Sequence, residues 1–461
     1  MLETIHLYHT NDLHSHFAYW PRIQKLLTER KKWHEEVGDS CYIFDIGDFI
    51  DRSHIYTEAT VGKGNIHLLN DGLYDAVTIG NNEGITLSKA DLNELYNDAK
   101  FDVIVGNLKT ENKIPDWAKP FRIYKTVQGT KIGVIAATAE FRTYYEPLGW
   151  TIEDPLPVLQ EIATEIHPLV DILLCMSHLG IHMDEQLAVL CPEIDVIFGS
   201  HTHHVLHEGK LVGNTLLTGG GKFGFFVGHT EIHFDVNKKS VVDKQTELYR
   251  TSELPVVRDE EQFDRTLIEK GKALLDHPVF EAGYYLNKEW YHHSALSRFF
   301  AKGLLQFSKA DCALFNAGIF LRDLPKGTVT AFDVHQCLPH PINACVITLT
   351  GQELKEVLET AQQSLDWPRT ELKGLGFRGV VLGKILTYGC SINSAGELIV
   401  NGEKGNESKV YKLVTLDMFT FGYFFPQFKN LPKTYLLPQF LRDILISYGQ
   451  IYYKSNDDEY V

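Results

Sequence analysis

The stretch IDVIFGSHTHH, residues 194–204, joins an apolar, β-branched run to two imidazoles two residues apart. Val196–Phe198 reads as a buried strand, and His201 and His203 follow it on a Gly-Ser turn. Imidazole is the commonest side-chain ligand for transition metals. Working outward, four more segments repeat this arrangement of apolar strand and polar turn. Ile172–Met176 runs into Ser177 and His178. Ala76–Ile79 runs into Gly80, Asn81, Asn82 and Glu83. Cys41–Ile46 runs into GDFIDR, with Asp48 on the turn. The opening strand, Thr4–Tyr8, leads to Asp12-Leu13-His14. Further strands are expected at Val103–Val105 and Lys131–Ala137, with helices at Pro21–His34 and Ala90–Ala99. Alternation of this kind marks an α/β layered domain, and open α/β sheets collect ligands beyond their strand ends.

Taken singly, these motifs are ordinary. A DxH triplet or a Gly-Asn pair is most often a turn, an Asp after Gly an N-cap, and a strand-end His a packed residue. As a set they supply carboxylate, amide and imidazole donors without thiolate. Such a set suits Mn, Zn, Fe or Co and does not choose among them.

The order D-x-H, GD-x-x-DR, GN-x-E, H, G-x-HTH resembles that of the metallo-dependent phosphatase superfamily. The segments HTNDLHSH (9–16), FDIGDFIDRS (44–53), LNDGLYDAVTIGNNEG (69–84) and SHLGIHMDE (177–185) are similar to those of its 5'-nucleotidase branch. The resemblance implies a four-layer α-β-β-α metallophosphoesterase sandwich over residues 1–250. It also implies two divalent metal ions. Asp12, His14 and His203 would hold one; Asn81, His178 and His201 would hold the other; Asp48 would bridge them. The implied reaction is hydrolysis of a phosphate ester by metal-activated water.

The second half carries its own resemblance. LFNAGIFLRDLPKGTVTAFDVHQCLPHPINACVITLTGQELKEVLE, residues 314–359, is similar to the C-terminal substrate-binding domain of 5'-nucleotidases. This implies an α+β domain over 278–461, joined through a charged connecting helix at 251–277. Helices are expected at Ser294–Leu305 and Gly351–Gln363, and strands at Cys312–Asn316 and Val346–Leu349. By the same resemblance Asn316 and Arg322 approach the substrate. Phe377 and Phe419 approximate the aromatic pair that sandwiches a base.

The chain departs from the family pattern in three places. The family's GNHE is followed two residues later by an Asp, and its His, oriented by that Asp, stabilises the transition state. Here Asn82 and Ile85 stand at those positions, so Asp48 and Asn82 occupy the catalytic positions without a proton donor between them. The family's NSGGIR becomes NAGIFLR (316–322), which moves Arg322 one place along. The family's Phe followed by GGDGY becomes DMFTFGYFFPQF (417–428), and FTFGYFF reads equally as a buried aromatic strand.

Bulk properties set the remaining bounds. The chain has 461 residues, 44% apolar and 23% charged, a length that suits two domains. Lys and Arg total 44 against 60 Asp and Glu, for a formal charge of −16. That balance argues against nucleic acid or anionic membrane as the main partner; the family resemblance implies a small phosphate compound, a nucleotide above all, instead. No secretory leader and no long apolar span is legible, and seven scattered cysteines form no pairing pattern. A cytoplasmic location is the expectation; the oligomeric state is not legible. Three functions remain open: a nucleotide phosphohydrolase, a phosphodiesterase or nucleotide-sugar (pyrophosphate) hydrolase, and a non-catalytic ligand sensor.

Overall fold

The computed structural model describes residues 1–363, 366–371, 374 and 376–457. It divides into two compact units, Met1–Gly271 and Lys272–Val461. The division falls inside the helix Glu260–Leu275, which occupies the later part of the expected connecting segment.

The strands of the first unit's two large sheets, in chain order, are β1 (Leu2–Thr10), β2 (Ser40–Asp45), β3 (Ala76–Val77), β4 (Asp102–Val103), β5 (Phe121–Lys125) and β6 (Lys131–Thr138). They continue as β7 (Ile172–His178), β8 (Val196–Gly199), β9 (Lys210–Val212), β10 (Thr215–Thr218), β11 (Phe226–Asp235) and β12 (Ser240–Arg250). Two six-stranded sheets result, with orders β12-β11-β1-β2-β3-β4 and β9-β10-β8-β7-β6-β5. β1 to β4 run parallel, as do β6, β7, β8 and β10, while β11 and β12 add an antiparallel edge to the first sheet.

Period-two alternation decides how the sheets stack. Ile5 and Leu7 of β1, Phe44 of β2, Ile132, Val134 and Ala136 of β6, and Leu174 and Met176 of β7 share one core between the sheets. The opposite face of β6 and β7 presents Ile135, Ala137, Leu173 and Cys175 to the helices Pro155–Ile166 and Ile181–Leu190. On the far side, α1 (Trp20–Val37) lies over the first sheet and buries Trp20, Ile23, Leu27 and His34 at helical spacing. Pro21 starts this helix, and Gly38, at φ +88°, ends it. The four layers are therefore helix, sheet, sheet, helix, as expected.

The second unit has its own core around a five-stranded sheet. Its strands are β13 (Cys312–Asn316), β14 (Asn343–Thr350), β15 (Ile385–Tyr388), β16 (Val410–Leu416) and β17 (Lys433–Phe440), in the order β15-β13-β16-β14-β17. The helices Ala295–Ser308 and Gly351–Gln363 stand where the sequence places them. One reading is corrected. FTFGYFF is no strand: Asp417–Phe421 form a 3-10 turn that Gly422 ends at φ +81°. That turn sends Phe419, Phe424 and Phe425 into the core and leaves Phe421 and Tyr423 exposed.

Candidate metal centre

The polar turns converge at the C-terminal ends of the parallel strands in both sheets. Asp12 and His14 follow β1, Asp48 follows β2, Asn81 follows β3, His178 closes β7, and His201 and His203 follow β8. One ligand atom each from Asp12, His14 and His203 lies within 4.8 Å of the other two, and the same holds for Asp12, Asp48 and His178. His14 Nε2 is 3.3 Å from His203 Nε2 and 3.8 Å from Asp12 Oδ1. Asp48 faces both groups, with Oδ2 3.7 Å from His14 Nε2 and Oδ1 3.5 Å from His178 Nε2. Asn81 Oδ1 lies 3.4 Å from His178 Nε2, and the His201 ring centroid is 5.2 Å from that of His178. All seven sequence-predicted ligands are thus brought to one place.

The turns that deliver them are unusual. Asp12, His14, Asp48, His201 and His203 all have φ between +49° and +71°. Left-handed backbone at five non-glycine residues costs on the order of 1–3 kcal/mol each and persists only where the surroundings impose it. Here the constraint comes from two loops packed back to back. Gly47, at φ +86°, lies so close to the next loop that a Cβ on it would stand 2.4 Å from Gly80 N, and a Cβ on Gly80 would stand 2.1 Å from Asp48 Oδ1.

Several residues beyond the sequence-predicted set hold the ligands. Asn11 Nδ2, Ser200 Oγ and His201 N–H all donate to Asp12 Oδ2, at 2.8, 2.6 and 3.1 Å. Asp12 Oδ1, fully buried, has no hydrogen-bond partner among the described residues and faces the imidazoles. A buried carboxylate oxygen without a donor is the mark of a cation site. His178 Nδ1–H donates to the Ile46 carbonyl at 2.7 Å, which leaves Nε2 to face Asp48. Buried Glu83 accepts the backbone N–H groups of Asp48, Ile50 and Gly80, and so ties the two loops together. Glu83 and Ser200 lie inside quoted motifs, but which side chains face inward is not written in spacing.

The electrostatics match a cation site. Burial works to raise the Asp48 carboxyl, yet the facing His178 and His14 rings and the Asn82 N–H hold it well below the usual carboxylate range. Burial likewise disfavours a charged His178, but Asp48 outweighs it and holds the ring at about 10. The carboxylates demand positive charge, and divalent ions supply it. The buried orphan oxygen and the O/N donor set fit two such ions.

Asn82 sits behind this cluster. Its amide nitrogen donates to the Ile50 carbonyl at 2.8 Å and lies 2.9 Å from His14 Nδ1, while its backbone N–H donates to Asp48 Oδ1 at 2.7 Å. In the second unit, Asn316 is buried. Its amide nitrogen donates to the Leu382 carbonyl, and its Oδ1 has no hydrogen-bond partner among the described residues. Arg322 is exposed. Phe377 stacks on His340 with ring centroids 5.1 Å apart, and Phe419 is fully buried against Phe424 and Phe425. In this conformation Phe419 offers no free ring face to a ligand.

Comparison with known proteins decides the family. The uncharacterized metallophosphoesterase YunD of Bacillus subtilis is 38% identical over 458 residues, covering 96% of this chain and 99% of the relative. The chain is a metallophosphoesterase. Residues 274–428 of the metallophosphoesterase match the family described as 5'-nucleotidase, C-terminal domain. The trifunctional nucleotide phosphoesterase protein YfkN of Bacillus subtilis is 24% identical over 410 residues, 78% of this chain and 27% of that longer relative. Two solved structures share the fold along nearly their whole lengths. The 5'-nucleotidase precursor of Thermus thermophilus has a TM-score of 0.58 at 19% identity, covering 97% of this chain and 96% of its own. The NAD nucleotidase of Haemophilus influenzae has a TM-score of 0.65 at 16% identity, covering 98% and 97%. The metallophosphoesterase is accordingly a metal-dependent hydrolase built around a dinuclear centre.

Proposed function

We propose that this metallophosphoesterase hydrolyses a nucleotide-related phosphate compound whose leaving group departs as a stable anion, such as a nucleoside diphosphate compound or nucleotide sugar. The observation that carries the reading is Asn82. It stands where the family places a proton-donating imidazole, and its amide is committed to the Ile50 carbonyl and the His14 ring. An amide does not titrate in this range. A leaving group that needs no proton tolerates its presence, whereas an alkoxide leaving group loses on the order of 10²–10⁴ in rate without a positioned acid.

Asp12, His14 and His203 would hold one divalent ion, Asn81, His178 and His201 the other, with Asp48 between them. Such ions would supply Lewis acidity toward a phosphoryl group and offset the charge that develops on it. The chain's own contribution is orientation. Asn11 and Ser200 fix Asp12, the Ile46 carbonyl fixes the His178 tautomer, and Glu83 fixes the loop bearing Asp48. The match over 274–428 and the names of the relatives support a nucleotide-type substrate. All seven cysteines are free and buried, which suits a reducing compartment.

The same match favours a second reading, a nucleoside monophosphate as substrate. A manganese-supplemented panel separates the two: a nucleoside monophosphate, a nucleotide sugar, a cyclic nucleotide and bis-p-nitrophenyl phosphate, each with wild type and Asp48→Ala. We expect turnover that Asp48→Ala abolishes, with the nucleotide sugar at least tenfold ahead of the monophosphate. A monophosphate preference would overturn the leaving-group argument. Equal traces of turnover in wild type and variant would instead favour a ligand sensor.

A further inference from the structure

A second histidine cluster lies on the outer face of the first sheet, beneath the C-terminal end of α1. Amphipathic helices ordinarily cover apolar sheet faces. Here the covered positions are His6 and Tyr8 of β1, His229 of β11, and His34 of α1, all buried. One ring nitrogen from each of the three histidines lies within 4.8 Å of the other two. His6 Nδ1 and His229 Nε2 are 3.1 Å apart, close to the 3.3 Å between His14 and His203 in the phosphoesterase centre. Both spacings approach the roughly 3.3 Å edge of a tetrahedron with Zn–N bonds of about 2.0–2.1 Å.

The nitrogens that face away from this point are each matched. His229 Nδ1 is 3.2 Å from Glu247, and His6 Nε2 is 3.7 Å from Asp39. His34 Nε2 is 3.0 Å from the Tyr8 hydroxyl. Metal-ligating histidines characteristically carry such partners, because a carboxylate or hydroxyl on the far nitrogen takes the ring's N–H and turns the lone pair toward the ion. His34 Nδ1, on a residue 1% exposed, has no hydrogen-bond partner among the described residues. An oxygen donor is also present, since Glu231 Oε2 lies 3.8 Å from His6 Nδ1. The His34 ring lies over His6 at 3.6 Å and 22°, so bringing its Nδ1 to an ion shared with the other two requires a turn about its Cβ–Cγ bond.

We propose that His6 Nδ1, His34 Nδ1, His229 Nε2 and Glu231 Oε2 form a third, mononuclear site for a zinc-class divalent ion that fastens α1 to the sheet. The set is N₃O with no thiolate. Its ligands come from β1, α1 and β11, so the ion ties together His6 and His229, 223 residues apart in sequence, and pins the helix to both strands. Each neutral ring keeps one N–H. Whichever ring donates in the His6 Nδ1–His229 Nε2 hydrogen bond shifts that one proton to its own outward nitrogen, facing Asp39 for His6 or Glu247 for His229, while the other ring already holds its N–H there.

The test uses the full chain in an Asp12→Asn, Asp48→Asn background, which disables the phosphoesterase centre. Zinc or cobalt is titrated in, and bound metal is read by elemental analysis. We expect one equivalent to remain, with the visible d–d absorption of four-coordinate cobalt. Adding His6→Gln and His229→Gln abolishes it. No bound equivalent in the background, or one that survives the added substitutions, overturns the proposal. Should the four-fold variant fail to fold, His34→Gln alone leaves both strands intact and weakens the third equivalent at least tenfold; unchanged affinity overturns the proposal. In the otherwise native protein, His6→Gln with His229→Gln leaves phosphoester turnover within twofold of wild type.

Discussion

At the scale of single residues, Asn82 and Ile85 mark the sharpest departure from the family pattern. Returning a titratable pair with Asn82→His and Ile85→Asp should raise turnover of a monoester relative to a diphosphate compound by about ten- to a hundredfold. Steady-state kcat/KM on both substrates checks this, and an unchanged ratio would show that leaving-group protonation is handled elsewhere. Asn11 and Ser200 are positioning residues, holding one Asp12 oxygen so that the other stays free. Ser200→Ala should weaken metal binding by about 10–100-fold, read by metal titration, without changing the helix content seen by circular dichroism. In the second unit, His340 donates from Nε2 to the Ile319 carbonyl and accepts at Nδ1 from the Arg378 N–H, a fully satisfied neutral ring. Burial, followed by the charges of Arg378 and Arg442, pushes it down to about 3. The folded state therefore refuses a proton that the unfolded chain accepts below its ordinary value near 6.5. The stability this ring contributes is complete above that value and falls by up to about 1.4 kcal/mol per pH unit as pH drops toward 3. His340→Phe should lower the melting temperature at pH 7.5, and its deficit against wild type should shrink by pH 4.5.

At the scale of elements, the site depends on two loops in closer contact than any side chain permits. Gly80 has no room for a methyl group, because Asp48 Oδ1 and His178 Cε1 lie 2.1 and 2.6 Å from where its Cβ would be. Gly80→Ala should therefore remove metal binding and turnover while leaving the sheets intact, as measured by metal content beside far-ultraviolet circular dichroism. The same scale separates what was legible from what was not. β6, β7 and β8 were readable because strands buried on both faces write continuous apolar runs. The antiparallel strands β11 and β12 were not, because their outward positions carry His229, Glu231, His233, Glu247 and Tyr249, which look like surface. The aromatic run at 419–425 reads as a strand as readily as a pocket wall, because composition alone does not register the turn that Gly422 permits.

Across the whole molecule, each unit has a separate core, one between the two sheets and one around the second unit's sheet. Calorimetry should resolve two unfolding transitions. Manganese at about 100 times its dissociation constant stabilises the unit that binds it by about 2.7 kcal/mol, so only the transition of residues 1–271 should rise with metal and fall with a chelator. Two transitions moving together would show the units to be energetically coupled.

The sequence by itself determined the layered α/β class and the family, and it placed the seven candidate ligands on turns that follow successive strands. It did so because apolar periodicity fixes which segments are strands, and because parallel strands deliver the turns that follow them to one edge. Only the tertiary structure decided that Asp48 turns one oxygen to each half of the centre, that Asn82 lies behind His14, and that Phe419 is enclosed. Only there do His6, His34 and His229 meet. Those outcomes depend on backbone turns of positive φ, on loop-to-loop contact and on pairings between segments far apart in the chain, none of which leaves a local pattern in the sequence.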